Sequence, residues 1–254
     1  MLKENKMPIL LYHKIDKKRK SVWYVTPKIF EKQMKSLKGK RIVYLDEYDP
    51  MDENNFVITF DGVYKDILKY AAPILKKLNY PFELFITGNY IGKDNSFDSS
   101  EPLEYFANEQ ELKQLMNLGG RLQWHTNSHR KFDSNLSLND VEYECQIPKN
   151  ILNLDINKNG FKWFAYPHGE LTSDKISIIK KYFRGGVSCY QGDNKDIYQL
   201  NRIMCFESTK FKNYYYDYFK ILLESIFSVK NKDKYYKVLT FLGIKIKIKR
   251  RNKQ

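Results

Sequence analysis

His125 and His129 stand four residues apart in Trp124-His125-Thr126-Asn127-Ser128-His129, in a chain with only four histidines. On one helical turn that spacing points both imidazoles the same way, which suits a divalent metal, zinc above all. Upstream, the strand-like run Val57-Ile58-Thr59-Phe60 ends in an acid, Asp61. An acid at the end of a buried strand is well placed for hydrolytic chemistry. The other two histidines, His13 and His168, also fall where apolar runs stop. Hydrolysis needs a metal to polarise a carbonyl and a water, a base for the water proton and an acid for the leaving group. His125 and His129 can hold the metal, and Asp61 can serve as base or as a third ligand. His13 can be the acid, because imidazole titrates near neutral pH. A backbone N–H in the Tyr166-Pro167-His168 turn can stabilise an oxyanion.

The elements that must position these residues alternate. Ile9-Leu10-Leu11-Tyr12, Ile42 to Leu45, Phe56 to Phe60, Phe82 to Ile86, Leu122 to His125, Phe161 to Tyr166 and Gly186 to Cys189 read as strands. Thr26-Pro27 opens a helix, with Thr26 as N-cap and Pro27 at its first position. Ile67, Leu68, Ala71, Ile74, Leu75 and Leu78 mark an amphipathic helix that stops at Asn79-Tyr80-Pro81. Further helices are expected over 108–118, 138–154 and 174–182. Strand–helix–strand repetition predicts parallel pairing and a distorted (β/α) barrel, whose reactive residues lie where strands end.

Three cysteines without CxxC spacing argue against a disulfide framework or a zinc knuckle. A formal net charge of +14 allows nucleic acid, an anionic membrane surface or acidic substrates as partners. No nucleic-acid recognition motif accompanies the charge, which demotes that partner. The N-terminus lacks the apolar run of a signal peptide, and no stretch approaches the roughly 18 apolar residues of a membrane span. The expectation is a cytoplasmic protein. From Tyr214 onward the composition shifts to aromatic and aliphatic residues, and Ile244 to Gln254 carry six basic side chains and no acid. Residues 1–208 are therefore expected to form the barrel, and 209–254 a helical, basic appendage. That appendage suits peripheral contact with the inner face of a membrane or, equally, packing on the barrel with a solvated tail.

Taken together, these motifs resemble those of the polysaccharide deacetylases, the NodB-homology group of carbohydrate esterases. Their Thr-Phe-Asp-Asp-Gly motif stands here as Thr59-Phe60-Asp61-Gly62, and His-Ser/Thr-x-x-His as His125-Thr126-Asn127-Ser128-His129. Tyr-Pro-Tyr-Gly stands as Tyr166-Pro167-His168-Gly169. Pro8 to His13 resembles the start of the circularly permuted bacterial members, and Asn201-Arg202-Ile203 resembles their late Leu-Pro-Arg-Ile segment. The resemblance implies a metal-dependent hydrolase that removes an acetyl or similar acyl group from an N-acylated amino sugar in surface polysaccharide synthesis. It implies Asp61 as base, His13 as acid and a glycan or sugar precursor as substrate. It also implies that Gly62 stands where the family carries an acidic metal ligand. Three outcomes follow: Asp61 binds the metal, another acid such as Asp66 reaches in, or the protein binds glycan without hydrolysing it.

Overall fold

The computed structural model describes residues 9–52, 54–189, 194–211, 227–231, 236–241 and 244–249. The chain divides into two compact units, Met1–Ser208 and Thr209–Gln254.

In the first unit the strands are β1 (Ile9–Tyr12), β2 (Lys14–Ile15), β3 (Tyr24–Val25), β4 (Arg41–Ile42), β5 (Asn55–Asp61), β6 (Phe82–Ile86), β7 (Gly120–Trp124), β8 (Trp163–Ala165), β9 (Gly185–Val187) and β10 (Ile203–Met204). The helices are α1 (Pro27–Ser36), α2 (Ala72–Leu78), α3 (Glu109–Asn117), α4 (Leu138–Cys145), α5 (Lys149–Leu152) and α6 (Ile176–Tyr182). The main sheet runs β10-β1-β5-β6-β7-β8-β9, with β4 added to β5. Every pairing in it is parallel. Leu200 bridges Val187, the last residue of β9, and β10 begins to pair with β1 three residues later. One short segment thus links the two edges of the curled sheet, which gives the expected α/β barrel its distorted form. Because the strands are parallel, their C-terminal ends all open on one side.

The central strands β1 and β6 are buried along their whole length, as a parallel sheet covered by helices requires. Ile9, Leu10, Val57, Ile58, Phe60, Phe82, Leu84, Phe85 and Leu122 are fully buried. Their unbroken apolar runs explain why periodicity located the strands well.

Several expectations are corrected. The helix over 138–154 breaks into α4 and α5, because Pro148 cannot continue the backbone ladder of α4. The helix after Asp61 begins with one π-type segment at Ile67–Ala71, passes into α2 and stops at Asn79, whose left-handed backbone (φ +56°) ends it. Thr26 does precede α1 with Pro27 first, but its hydroxyl donates to Glu207 (2.9 Å) instead of capping the helix. The run Ile42 to Leu45 gives only β4, followed by a 3-10 turn at Leu45–Glu47.

In the second unit, β11 (Phe227–Asn231), β12 (Tyr236–Phe241) and β13 (Ile244–Lys249) form an antiparallel sheet where a helical appendage was expected. The physical reason lies in the pattern. Ile244-Lys245-Ile246-Lys247-Ile248-Lys249 alternates a β-branched residue with a lysine, which is strand periodicity. The polar N-terminal heptad, the aromatic stretch from Tyr214 to Ile226 and the last basic residues lie outside the described residues. Among the described residues, no helix is long and apolar enough to cross a membrane.

Candidate active site

A cavity of about 440 Å³ opens at the C-terminal ends of the strands. His13 follows β1, Asp61 ends β5, His125 and His129 follow β7, and His168 lies in the turn after β8. All five residues line this cavity. Asp66 does not. Its Oδ2 accepts from the Ile15 backbone N–H (3.0 Å), so it ties the β2 segment down and does not cap the following helix.

The acid corner is built around Arg202. Asp61 is 3% exposed, and its two oxygens each accept from Arg202, Nη1 to Oδ1 and Nη2 to Oδ2, both at 2.7 Å. Arg202 is fully buried and also donates to the Ser188 carbonyl (2.8 Å) and to Thr59 Oγ1 (3.1 Å). The Thr59 hydroxyl in turn donates to the Leu10 carbonyl (2.8 Å), which joins β5 to β1. Burial would raise the Asp61 pKa, but the charges of Arg202, His125 and His13 and the Arg202 hydrogen bonds hold it down at about 2. Two parallel charge-assisted bonds fix the carboxylate plane.

The histidine corner is a loop, not a helical turn. Thr126 (φ +71°) and His129 (φ +63°) both adopt left-handed backbone, and the His129 N–H donates to Thr126 Oγ1 (2.8 Å). Buried Glu144 of α4 accepts from the Ser128 N–H (2.8 Å) and from the Ser128 hydroxyl. Asn127 donates to the carbonyls of Tyr143 (2.6 Å) and Gln146 (3.0 Å). These bonds bring the two rings together, with centroids 4.9 Å apart. Asn127 and Glu144 position the pair, and the spacing argument did not reveal them. His125 Nδ1 sits 2.8 Å from the Ala165 carbonyl, which only accepts. The proton is therefore assigned to Nδ1, leaving the Nε2 lone pair for a ligand. The His168 ring lies 5.1 Å from that of His129.

Burial lowers the pKa of all four imidazoles, His13 to about 4, and leaves them neutral at pH 7. The turn at His168 has left-handed backbone (φ +59°). It commits the Tyr166, Gly169 and Glu170 N–H groups to carbonyls, and none of these bonds uses the His168 N–H that an oxyanion role needs.

Gly62 closes the cavity beside Asp61. Its φ is +86°, and a Cβ there would meet Tyr64 at 3.0 Å and Phe106 at 3.1 Å. Those two rings are stacked, with centroids 4.5 Å apart. Phe97 lies nearly parallel to Phe106 and 5.3 Å from the His129 ring. The space beside Gly62 is thus taken by an aromatic wall. As a metal site, the donor set is incomplete. Among the described residues, no group of three His, Cys, Asp or Glu side chains is arranged to hold a metal ion. His125 and His129 supply two nitrogens, and both oxygens of Asp61 are engaged by Arg202.

Arg202 and Trp23 were two further residues that motif spacing missed. Arg202 carried a signal in Asn201-Arg202-Ile203, yet nothing there specified its partner. Trp23 lines the cavity with its ring 4.8 Å from that of His13.

Comparison with known proteins places the fold among deacetylases. The poly-β-1,6-N-acetyl-D-glucosamine N-deacetylase of Staphylococcus aureus (strain MRSA252) is 26% identical over an alignment of 211 residues that covers 70% of each chain. The Streptococcus pyogenes deacetylase PplD, solved in complex with acetate, superposes with a TM-score of 0.67 at 21% identity, over 82% of this chain and 95% of that one. IcaB from Ammonifex degensii superposes with a TM-score of 0.63 at 16% identity, over 83% and 95%. These two likenesses concern the fold. A family model described as polysaccharide deacetylase matches residues 48–183, a span that holds Asp61, His125, His129 and His168 but not His13 or Arg202. That span is more than half of the chain, which belongs to the polysaccharide deacetylase family.

Proposed function

We propose that this protein hydrolyses the acetamide of an N-acetylated amino sugar in a surface polysaccharide, releasing acetate and a free amine. The observation that carries this reading is the meeting of Asp61, held from behind by Arg202, with His13 and the His125/His129 pair in one cavity at the C-terminal face of the sheet. Family membership and the printed activity of the Staphylococcus aureus relative support it. The order of the motifs, with His13 at the start and Arg202 late, resembles that of the circularly permuted members.

Asp61 acts as the base in this proposal. Arg202 keeps it ionised at neutral pH and aims it, at the cost of basicity. The proton lost by the attacking water must reach the nitrogen as the C–N bond breaks, and His13 is the group placed to deliver it. Because His13 rests neutral, it takes up that proton during turnover. The His168 turn supplies a backbone N–H toward the developing oxyanion. Zinc is the metal that two imidazoles suit. With the third ligand incomplete, no step is assigned to it. The basic C-terminal segment is proposed to rest on an anionic membrane surface.

The test is acetate release from poly-β-1,6-N-acetylglucosamine, with metal content measured on the same sample. Release that disappears in Asp61→Asn and in His125→Ala is expected. A second reading, glycan binding without hydrolysis, draws on Gly62 and the incomplete donor set. It predicts saccharide binding with no acetate release at any zinc concentration, a result that would overturn the first reading.

A further inference from the structure

The outer wall of the barrel carries its charge unevenly. On α1, Lys28, Lys32 and Lys35 stand at i, i+4 and i+7, which places them in one stripe, while Phe30 and Met34 bury the opposite face. Lys69 lies in the π-type segment, and Lys76 and Lys77 lie in the last turn of α2. All six lysines are exposed. α1 packs against both the π-type segment and α2, so the two lysine rows adjoin. Glu31 is the one acid within these three elements, and it sits 2.6 Å from Lys35. The hydrogen bond and charge of Lys35, then the charge of Lys77, hold its carboxyl below the ordinary pKa.

Two of the following helices carry the opposite sign. α3 has Glu109 and Glu111 against Lys113, and α4 has Asp140, Glu142 and Glu144 with no lysine or arginine. A molecule charged in this way turns its α1–α2 side toward a negative surface. The type of cation narrows the partner. Bidentate reading of a single phosphate calls for the planar fork of arginine, whereas each lysine is a compact, hydrated point charge. Lysines spread across two exposed helix faces suit a diffuse negative potential. Anionic lipid headgroups present one, and the attraction grows with the number of cations near their plane.

We propose that the α1–α2 wall is a docking surface for an anionic lipid membrane, carried by the barrel itself and independent of the C-terminal segment. Docking on this wall fixes an orientation. Helices flank the strands of a (β/α) barrel, so the wall runs alongside the sheet while the cavity opens at the strand ends. A barrel lying on α1 and α2 therefore keeps its cavity uncovered and opening along the lipid plane. This holds whatever reaction the cavity performs.

The experiment is cosedimentation of the full chain with vesicles of phosphatidylcholine alone, and of phosphatidylcholine mixed with phosphatidylglycerol. Binding is expected only to the mixed vesicles, and it should weaken as salt is raised. The quadruple variant Lys28→Gln, Lys32→Gln, Lys76→Gln and Lys77→Gln is expected to bind them at least about tenfold more weakly at an unchanged melting temperature. A control with the same change in total charge, made by Lys113→Gln, Lys149→Gln, Lys180→Gln and Lys181→Gln at exposed positions on other helices, should lose far less. Equal losses in the two quadruple variants would show that net charge, not this wall, drives the contact, and would overturn the proposal. So would wild-type binding by the wall variant with loss only on replacing Lys245, Lys247 and Lys249, which would assign the contact to the C-terminal segment. Absence of binding to the mixed vesicles at low salt, or tighter binding to duplex DNA than to those vesicles at equal salt, would overturn it as well.

Discussion

Two carboxylates are buried in neighbouring strands, and they are held in opposite ways. Asp61 stands at the end of β5 that opens into the cavity, and a buried guanidinium grips both of its oxygens. Glu83 stands near the start of β6, opposite Thr59 in the register, and is fully buried among neutral donors. The Leu45 N–H (2.8 Å) and the Gln123 amide (2.9 Å) each donate to one of its oxygens. Burial raises Glu83 to about 7, and those bonds and the more distant Arg121 only partly oppose it. Asp61, equally buried, is held at about 2. A charged partner, not depth, decides which acid is ready for chemistry at neutral pH. The division follows the barrel: reactive groups at the C-terminal ends of strands, stabilising ones at the other.

The largest effect should come from breaking the charged pair. Arg202→Ala leaves a carboxylate buried without its cation and is expected to cost about 3–5 kcal/mol, read from the urea midpoint. It should also let burial lift the Asp61 pKa above its ordinary value. Replacing both partners, Asp61→Leu with Arg202→Met, should recover much of the stability and none of the activity. A stable Arg202→Ala protein with wild-type acetate release would show that the pair does not hold the site.

Glu83 sharpens the contrast through pH. In the folded state it keeps its proton up to about 7, while the unfolded chain releases it near 4.5. Its contribution is therefore greatest below pH 4.5 and falls as pH rises through 7, by about 3 kcal/mol across that window. Asp61 runs the other way, stabilising above its ordinary pKa and losing that contribution only as pH falls toward 2. Other buried groups titrate too, so the measurement is the difference between wild type and Glu83→Gln in melting temperature from pH 4.5 to 8. Parallel curves would remove Glu83 as the source.

Much of this arrangement was legible before any coordinates. The apolar runs of β1, β5 and β6 placed the strands, and the strand ends placed His13, Asp61, His125 and His168 on one side. The pair His125/His129 does converge, but through left-handed loop residues and the Glu144 brace instead of a helical turn, and residue spacing alone cannot tell the two apart. Arg202 lies 141 residues from Asp61 in sequence. A long-range ion pair leaves no local pattern, so only the fold reveals it. The C-terminal strands were missed because aromatic density was read as helical, although the Ile-Lys alternation carried the period of two.

Gly62→Asp tests whether a third carboxylate can join the comparison. The sequence pattern alone makes this substitution a simple restoration of a ligand. The geometry makes it a strained one. At φ +86° an L side chain is disfavoured, and the new Cβ would press on the stacked rings of Tyr64 and Phe106 at 3.0 and 3.1 Å. The expected cost is about 1–2 kcal/mol, smaller than that of the buried pair because aspartate tolerates left-handed backbone better than most residues. Zinc affinity, measured by calorimetry, should improve little in Gly62→Asp alone, because the aromatic wall fills the space its carboxylate needs. Adding Tyr64→Ala should open that space and raise the affinity further. A single Gly62→Asp substitution that binds zinc tightly at no cost in stability would show that the wall yields freely, and that position 62 lacks only its acid.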